Sequence, residues 1–266
     1  MSRGGGAAGA PPVLDALVHE LLAARAERRA LPPPSATHPL DAARAYAVQD
    51  RLREALVAGG ERVVGWKAGL TSKAAQAAFG YDAPVCGFLL ASGILPNRSE
   101  VEAARFVGLA VEAEVCFVLA RDLAGPGVTA AAARGAVAGA LPALELIDVR
   151  YAGKPTGTDL IADDVASHAV VLGAPLTDVA PLDLALEGLV YELNGAVAAT
   201  NTAAEVMGDP LNALAWVANH LGARGLGLAA GDLVMSGSVS LLLRPKAGDT
   251  VRAQFTRLGS VSARFA

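Results

Sequence analysis

The stretch VEAEVCF, residues 111–117, decides the fold, because it reads as an apolar β-strand interrupted by acidic residues. A strand sends successive side chains to opposite faces, so Glu112 and Glu114 point the same way. Their Cα atoms lie roughly 7 Å apart along an extended chain. Two neighbouring carboxylates within apolar sequence need a structural reason, since burial removes the water that stabilises them.

A third glutamate, Glu145, occurs in LPALELID, residues 141–148, which also reads as an apolar strand. Three carboxylates inside a β-rich core would each lose several kcal/mol of solvation unless something neutralises them. A divalent cation is the simplest neutraliser, and hard oxygen ligands suit Mg²⁺ or Mn²⁺. The alternative places Glu112 and Glu114 on the solvated face of an edge strand. The four histidines form no ligand pair, which argues against zinc.

Composition excludes several classes of protein. The chain has 266 residues, of which 18% are charged, so intrinsic disorder is not expected outside the ends. A net charge of −4 without a basic run argues against nucleic acid or an anionic membrane as partner. The opening MSRGGGAAGAPP lacks the apolar core of a signal peptide, and no stretch approaches ~18 apolar residues. Cys86 and Cys116 show no paired spacing, so we expect buried free thiols in a cytoplasmic protein.

The chain divides near residue 60. Residues 13–31 and 40–60 have the helical spacing of amphipathic helices, separated by the proline-rich connector LPPPSATHP. Residues 1–60 are therefore predicted to form an N-terminal helical arm. Short runs rich in branched residues dominate 61–266, with helices predicted at 129–141 and after Asp209. This pattern predicts an α+β protein with a curled β-rich core rather than a doubly wound sheet.

Other polar residues interrupt apolar segments without forming a specific motif. Lys67, in VVGWKAGLTS, is either an amine that reaches water along a covered stem or a partly desolvated cation facing an anionic substrate. LIADDVASH, residues 160–168, reads as an ordinary polar turn or as part of a site. MSGSVS, residues 235–240, reads either as an ordinary strand that contains a glycine or as a segment whose backbone amides hold a carboxylate.

Taken in order, these segments resemble a known enzyme family from about residue 40 to the C-terminus. The family is the group of 2-oxopent-4-enoate hydratases and 2-oxohex-3-enedioate (4-oxalocrotonate) decarboxylases, within the fumarylacetoacetate hydrolase superfamily. The resemblance is carried by the segments GWKAGLTSKAAQ, VEAEVCFVLARDL, LPALELID, IADDVAS, DPLNALAWVANHLG, GDLVMSGS and LGSVSARF.

The resemblance implies a fold, a cofactor and a set of site residues. It implies a mixed β-roll core and a Mg²⁺ or Mn²⁺ ion held by Glu112, Glu114 and Glu145. It places Lys67, Asp163 and Ser167 at the reaction. The residues it implies around the substrate are Leu70, Val85, Asp164, Ser236, Gly237 and Ser238.

The implied activity is that of a lyase on a short 2-oxo-enoate from the meta-cleavage catabolism of aromatic compounds. The ion would stabilise negative charge on the keto oxygen as an enolate, with Lys67 adding positive charge or moving a proton. Hydration and decarboxylation can both pass through that state, so the metal site alone does not choose between them. The substrate is a small 2-oxo acid, and a homo-oligomer is expected.

One position favours decarboxylation of 2-oxohex-3-enedioate to 2-hydroxypenta-2,4-dienoate. Hydratases of the family usually carry an acidic residue where Val85 stands, and water addition needs such a group. An apolar site instead favours loss of CO₂. Asp82 is a possible substitute, although on a strand it would face the other way. A second departure is Asp164, where the family usually has asparagine.

Two alternatives stay open. The chain is a hydratase that converts 2-hydroxypenta-2,4-dienoate to 4-hydroxy-2-oxopentanoate, or it is a weakly catalytic scaffold subunit. In the second case it would support a partner hydratase or decarboxylase in a complex.

Overall fold

Two mixed β-sheets form the centre of the computed structural model, which describes residues 11–266 and the side chains from residue 14 onward. The first ten residues, MSRGGGAAGA, lie outside the described residues. They make up most of the opening segment in which no signal peptide is expected. The strands are β1 Val63–Gly69, β2 Val85–Leu90, β3 Ile94–Pro96, β4 Ser99–Val101, β5 Leu109–Leu119, β6 Val137–Asp148, β7 Ser167–Leu172, β8 Gly188–Leu193, β9 Ala196–Thr202, β10 Leu233–Ser238, β11 Thr250–Phe255 and β12 Gly259–Phe265. The α-helices are α1 Pro11–Glu27, α2 Ala42–Ala58, α3 Lys73–Ala78, α4 Ala130–Ala136, α5 Gly157–Ala162 and α6 Pro210–Ala223.

The larger sheet has seven strands in the order β2-β1-β10-β5-β6-β7-β3, and the smaller has five in the order β4-β12-β11-β8-β9. Their apolar faces share one core, in which the side chains of Phe117 and Tyr191 are fully buried. Tyr191 of β8 also donates a hydrogen bond of 3.0 Å to the carbonyl oxygen of Val111 in β5. This bond satisfies a buried phenol and ties the two sheets together. The predicted α+β fold with a mixed β core is confirmed.

The long hairpin of β5 and β6 occupies the middle of the larger sheet. The two strands are antiparallel, and their register sets Glu112 directly opposite Glu145. Because both strands have neighbours on each side, neither is an edge strand. The alternative that exposes Glu112 and Glu114 on a sheet edge is therefore wrong.

The helical arm packs against the β-rich region. Asp41 caps α2 by accepting a hydrogen bond from the amide of Arg44 at 2.8 Å. Leu17, Leu21 and Val48 from the two long helices share a buried cluster with residues 160–162 of α5. The arm thus covers one end of the larger sheet, while its assignment as a separate domain from residues 61–266 stays a prediction.

Local expectations held in part. A tight hairpin forms at Asn194–Gly195 with both residues at positive φ, and α6 begins after Asp209 as predicted. The helix predicted over 129–141 ends instead at Ala136, because residues 137–141 pair with β5 as the start of β6. Strand pairing there overrides the helix propensity of an alanine-rich run. Within the described residues, no helix is long and apolar enough to span a membrane.

Candidate active site

Glu112, Glu114 and Glu145 meet on one face of the larger sheet. Each offers a carboxylate oxygen, and the three oxygens lie within 4.8 Å of one another. Glu114 and Glu145 are almost fully buried, and Glu112 is half-buried. The pairing of β5 with β6 and the two-residue period of β5 produce this convergence from residues far apart in sequence.

This donor set fits a divalent cation. Oε1 of Glu114 is buried and has no hydrogen-bond partner among the described residues, while Oε2 accepts a hydrogen bond of 2.8 Å from the amide of Gly237. Burial and the neighbouring carboxylates raise the pKa of Glu114 well above its ordinary value, and they raise that of Glu112 to about 7. Three crowded oxygen donors with an unsatisfied acceptor are what Mg²⁺ or Mn²⁺ would complete. Glu112, Glu114 and Glu145 would hold it.

Lys67 is the cation beside these carboxylates. It lies on β1 with 2% of its surface exposed, so the interpretation as a lysine that reaches bulk water is wrong. Its ammonium forms an ion pair with Glu145 and donates a hydrogen bond of 3.0 Å to the carbonyl oxygen of Val165. Burial opposes the charged form, but Glu145, Glu114 and Glu112 outweigh it and raise the pKa of Lys67. Lys67 is therefore a fixed positive charge at the centre of the site.

The carbonyl that holds Lys67 belongs to a strained turn. Asp164, Val165 and Ala166 have φ values of 55°, 51° and 56°, which is the left-handed region. Each such residue other than glycine costs roughly 1–2 kcal/mol. The turn lies between α5 and β7, and α5 is fixed by a capping box between Thr156 and Asp159. Strain held by well-packed neighbours is typical of functional sites.

A cavity of about 700 Å³, here called the carboxylate cavity, opens over this centre. Glu112, Glu145 and Lys67 line it, together with the predicted substrate residues Leu70 and Ser238. Leu70 has a φ of 52° and turns the chain after β1 into the wall of the cavity. The structure thus brings five predicted residues to one space.

Ser236 and Gly237 support the carboxylates from behind. Ser236 is fully buried, and its hydroxyl donates to the carbonyl oxygen of Gly237 at 3.1 Å. Gly237 has a φ of 98°, and a Cβ atom there would lie 2.4 Å from Oγ1 of Thr71. Its amide binds a carboxylate, as the sequence suggested, but that carboxylate is Glu114 of the protein itself.

Asp163 lies in a buried ion-pair cluster. The prediction that Asp163 lies at the substrate is therefore corrected. Its two oxygens pair with Arg25 and Arg150 at 2.9 Å each, and Arg150 also pairs with Asp148 at 3.2 Å. Arg25 comes from α1, so Asp163 joins the helical arm to the sheet. Removing one partner from such a buried cluster leaves an uncompensated charge, which makes a structural role for Asp163 the simplest account.

Ser167 and Asp164 face a second cavity, of about 390 Å³, on the other side of β6. Alternation along β6 explains the separation: Glu145 and Ile147 line the carboxylate cavity, whereas Leu146 and Asp148 line the second. Oδ1 of Asp164 accepts a hydrogen bond of 2.7 Å from the amide of Phe88. The sequence could not show that Asp164 and Ser167 line the second cavity while Val165 and Ala166 between them line the carboxylate cavity.

Val85 is fully buried and lines neither cavity. Its Cγ2 lies 3.1 Å from the position that a Cβ atom on Gly69 would take, and it shares a cluster with Leu70 and Val165. Val85 therefore packs behind the wall of the carboxylate cavity. Asp82 is exposed and lines neither cavity, so it does not replace the missing acid.

Sequence reasoning missed several residues that line the carboxylate cavity, chiefly Ser240, Leu242, Arg244 and Glu205. With Ser238, the first three lie on the segment that ends β10 and continues to residue 244 through a bend at 239–240. Three consecutive leucines at 241–243 show no alternation in the sequence, so no pattern marked Leu242 and Arg244 as lining residues.

Comparisons with known proteins show which family the chain belongs to. The family model for the C-terminal domain of fumarylacetoacetate hydrolase matches residues 61–266. The chain is 36% identical over 222 residues to a 4-oxalocrotonate decarboxylase of Pseudomonas sp. (strain CF600), covering 83% of this chain and 84% of the relative. It is 36% identical over 226 residues to a 2-keto-4-pentenoate hydratase of Paraburkholderia phymatum, covering 85% and 86%.

One solved structure to which the chain is similar is also a 4-oxalocrotonate decarboxylase. The 4-oxalocrotonate decarboxylase from Pseudomonas putida G7, complexed with magnesium and adipate, superposes with a TM-score of 0.94 at 31% identity, covering 98% of this chain and all of that one. The predicted resemblance to the decarboxylase and hydratase lyases is thus confirmed. The chain belongs to the fumarylacetoacetate hydrolase family.

Proposed function

We propose that the protein is a divalent-metal-dependent decarboxylase that converts 2-oxohex-3-enedioate to 2-hydroxypenta-2,4-dienoate. The observation that carries the proposal is the convergence of three glutamate oxygens within 4.8 Å beside the buried ammonium of Lys67. The magnesium-bound decarboxylase structure, 31% identical to this chain, supports Mg²⁺ or Mn²⁺ as the ion. The adipate in that structure is a six-carbon dicarboxylate, as the proposed substrate is.

A bound ion would supply Lewis acidity toward the carboxylate and keto oxygen of a 2-oxo acid. Lys67 adds a positive charge that stabilises the negative charge developing on the keto oxygen as the distal C–C bond breaks. The ammonium is oriented by Glu145 and by the carbonyl oxygen of Val165, so it needs no rearrangement during the reaction. It is also a proton donor toward that oxygen.

The apolar wall favours decarboxylation over hydration. Leu70, Leu160 and Val165 line the carboxylate cavity, and Val85 supports them from behind. Such a wall contributes no acid or base for adding water at the distal carbon.

Hydration of 2-hydroxypenta-2,4-dienoate to 4-hydroxy-2-oxopentanoate is the second candidate. The observation in its favour is Glu205, an exposed carboxylate that lines the same cavity outside the glutamate trio. A carboxylate in that position can activate a water molecule.

The two candidates separate in one assay. Purified protein with Mg²⁺ or Mn²⁺ is expected to release one CO₂ for each 2-oxohex-3-enedioate consumed, measured by coupled CO₂ detection and by ultraviolet absorbance. Chelation with EDTA should stop the release, and added Mn²⁺ should restore it. Water addition to 2-hydroxypenta-2,4-dienoate without CO₂ release would transfer the assignment to hydratase. No turnover of either compound would favour the scaffold alternative.

We propose further that the protein forms a homo-oligomer and associates with a partner hydratase. Val190 and Val197 on the paired strands β8 and β9 are exposed apolar residues, and β9 is the edge of its sheet. Light scattering on purified protein is expected to give a mass above that of one chain. A single-chain mass at micromolar concentration would contradict the oligomer.

A further inference from the structure

Arg244 lines the carboxylate cavity but forms no hydrogen bond or ion pair with any other described residue. The other cation of the cavity, Lys67, is already engaged by Glu145. An arginine at a substrate cavity presents a planar fork of donors that matches a carboxylate. The free guanidinium therefore provides an anion-binding group that the metal centre does not use.

The backbone places Arg244 close to the metal centre. Leu243 exchanges two hydrogen bonds with Val111, at 2.8 and 3.0 Å, so the pair is held in antiparallel register. Glu112 and Arg244 directly follow the two members of that pair and both line the cavity. Diagonal neighbours of this kind have Cα atoms roughly 8 Å apart. Glu112 and Arg244 thus lie close together on the wall of one cavity.

Ser240 adds a second polar group on the same wall. Its hydroxyl oxygen is buried and has no hydrogen-bond partner within the described residues. Ser240 and Arg244 both line the carboxylate cavity, so they face the same space. A buried hydroxyl without a partner is unfavourable unless a ligand or water completes it.

We propose that Arg244 binds the distal carboxylate of a dicarboxylic 2-oxo acid, with Ser240 as a further donor, and so selects the enedioate over the shorter monocarboxylic enoate. This inference rests on the proposed function and names its specificity residue. The glutamate trio and Lys67 serve the 2-oxo end of the molecule, and Arg244 serves the opposite end.

The test measures binding rather than turnover. Titration calorimetry on the Mg²⁺-loaded protein compares 2-oxoadipate with 2-oxohexanoate, which has the same carbon chain but no distal carboxylate. The wild-type protein is expected to bind 2-oxoadipate about 10 to 100 times more tightly, as for a charge-assisted hydrogen-bonded pair. Arg244→Gln should bring the two affinities within about twofold, and Arg244→Lys should keep part of the preference.

Arg121→Gln is the matched control, because Arg121 is exposed and lines neither cavity. It should keep the wild-type preference. In kinetics with 2-oxohex-3-enedioate, Arg244→Gln should raise KM without lowering kcat, because the contact is to a carboxylate charge that is lost as CO₂ leaves.

The outcomes separate the two proposals. A preference that survives in Arg244→Gln, or one absent from the wild-type protein, overturns the role of Arg244 even if CO₂ is released. A preference lost in Arg244→Gln together with no CO₂ release supports the binding role and rejects the decarboxylase.

Discussion

Replacing Glu114 by glutamine is expected to abolish binding of Mg²⁺ and Mn²⁺ and to lower turnover on the order of 10³-fold or more. Glutamine keeps the shape of the side chain, and its carbonyl oxygen can still accept the amide hydrogen of Gly237. What it loses is the charge and the unpartnered oxygen that faces the other two glutamates. The change therefore removes the metal without removing the support around it.

The stability of the metal-free protein separates this account from misfolding. Glu114→Gln removes one of three crowded carboxylates. The free energy of unfolding of the metal-free variant should therefore be at least as large as that of the metal-free wild-type protein. Mn²⁺ at one hundred times its Kd should stabilise the wild-type protein by about 2.7 kcal/mol and leave the variant unchanged. Calorimetric titration and thermal melts with and without Mn²⁺ measure both effects.

Glu205→Gln is the matched control for the metal experiment. Glu205 lines the same cavity but lies outside the trio, so this variant should keep the Mn²⁺-dependent gain in melting temperature. Wild-type Mn²⁺ affinity in Glu114→Gln would contradict a site built from Glu112, Glu114 and Glu145.

Short-range periodicity made part of the glutamate cluster predictable from sequence, while the complete set of three residues came from the family resemblance. Two glutamates on alternate positions of one strand must share a face, and an apolar context makes their burial costly without a neutraliser. Glu145 followed from the same logic. The direct register of Glu112 with Glu145 depends on the hairpin, which pattern alone does not specify.

The positions of residues 163–167 were not predictable in the same way. They follow a short helix and a left-handed turn, so no regular period carries a side-chain direction through them. The partners of Asp163 are Arg25 and Arg150, and Arg25 lies 138 residues away on the helical arm. Ion pairs between residues so far apart in sequence form only when the chain folds. No local sequence pattern predicts them.

Asp164 is a buried carboxylate outside the glutamate trio whose ionisation should affect stability. Burial raises its pKa to about 8, because desolvation outweighs the charges of Arg25 and Lys67 and the amide of Phe88, while Asp163 adds repulsion. In the unfolded chain an aspartate ionises near pH 4. The folded protein therefore holds a proton that the unfolded chain releases between these two values.

The sign follows from this difference in proton binding. A folded pKa above the unfolded value contributes stability that is complete below about pH 4 and is lost as pH rises through about 8. The full loss corresponds to roughly 5 kcal/mol, of which most falls between pH 5 and pH 8. Asp164→Asn removes this dependence, since asparagine does not ionise and its carbonyl oxygen can still accept from the amide of Phe88.

Urea unfolding of the Mg²⁺-loaded proteins at pH 5 and pH 9 measures the effect. Asp164→Asn should lie within about 1–2 kcal/mol of the wild-type protein at pH 5 and exceed it by several kcal/mol at pH 9. Both proteins carry the same metal centre, so its own pH dependence cancels in the comparison. Asp82→Asn, at an exposed carboxylate, should leave the difference near zero at both pH values. Parallel pH profiles for Asp164→Asn and wild type would show that Asp164 does not hold the proton.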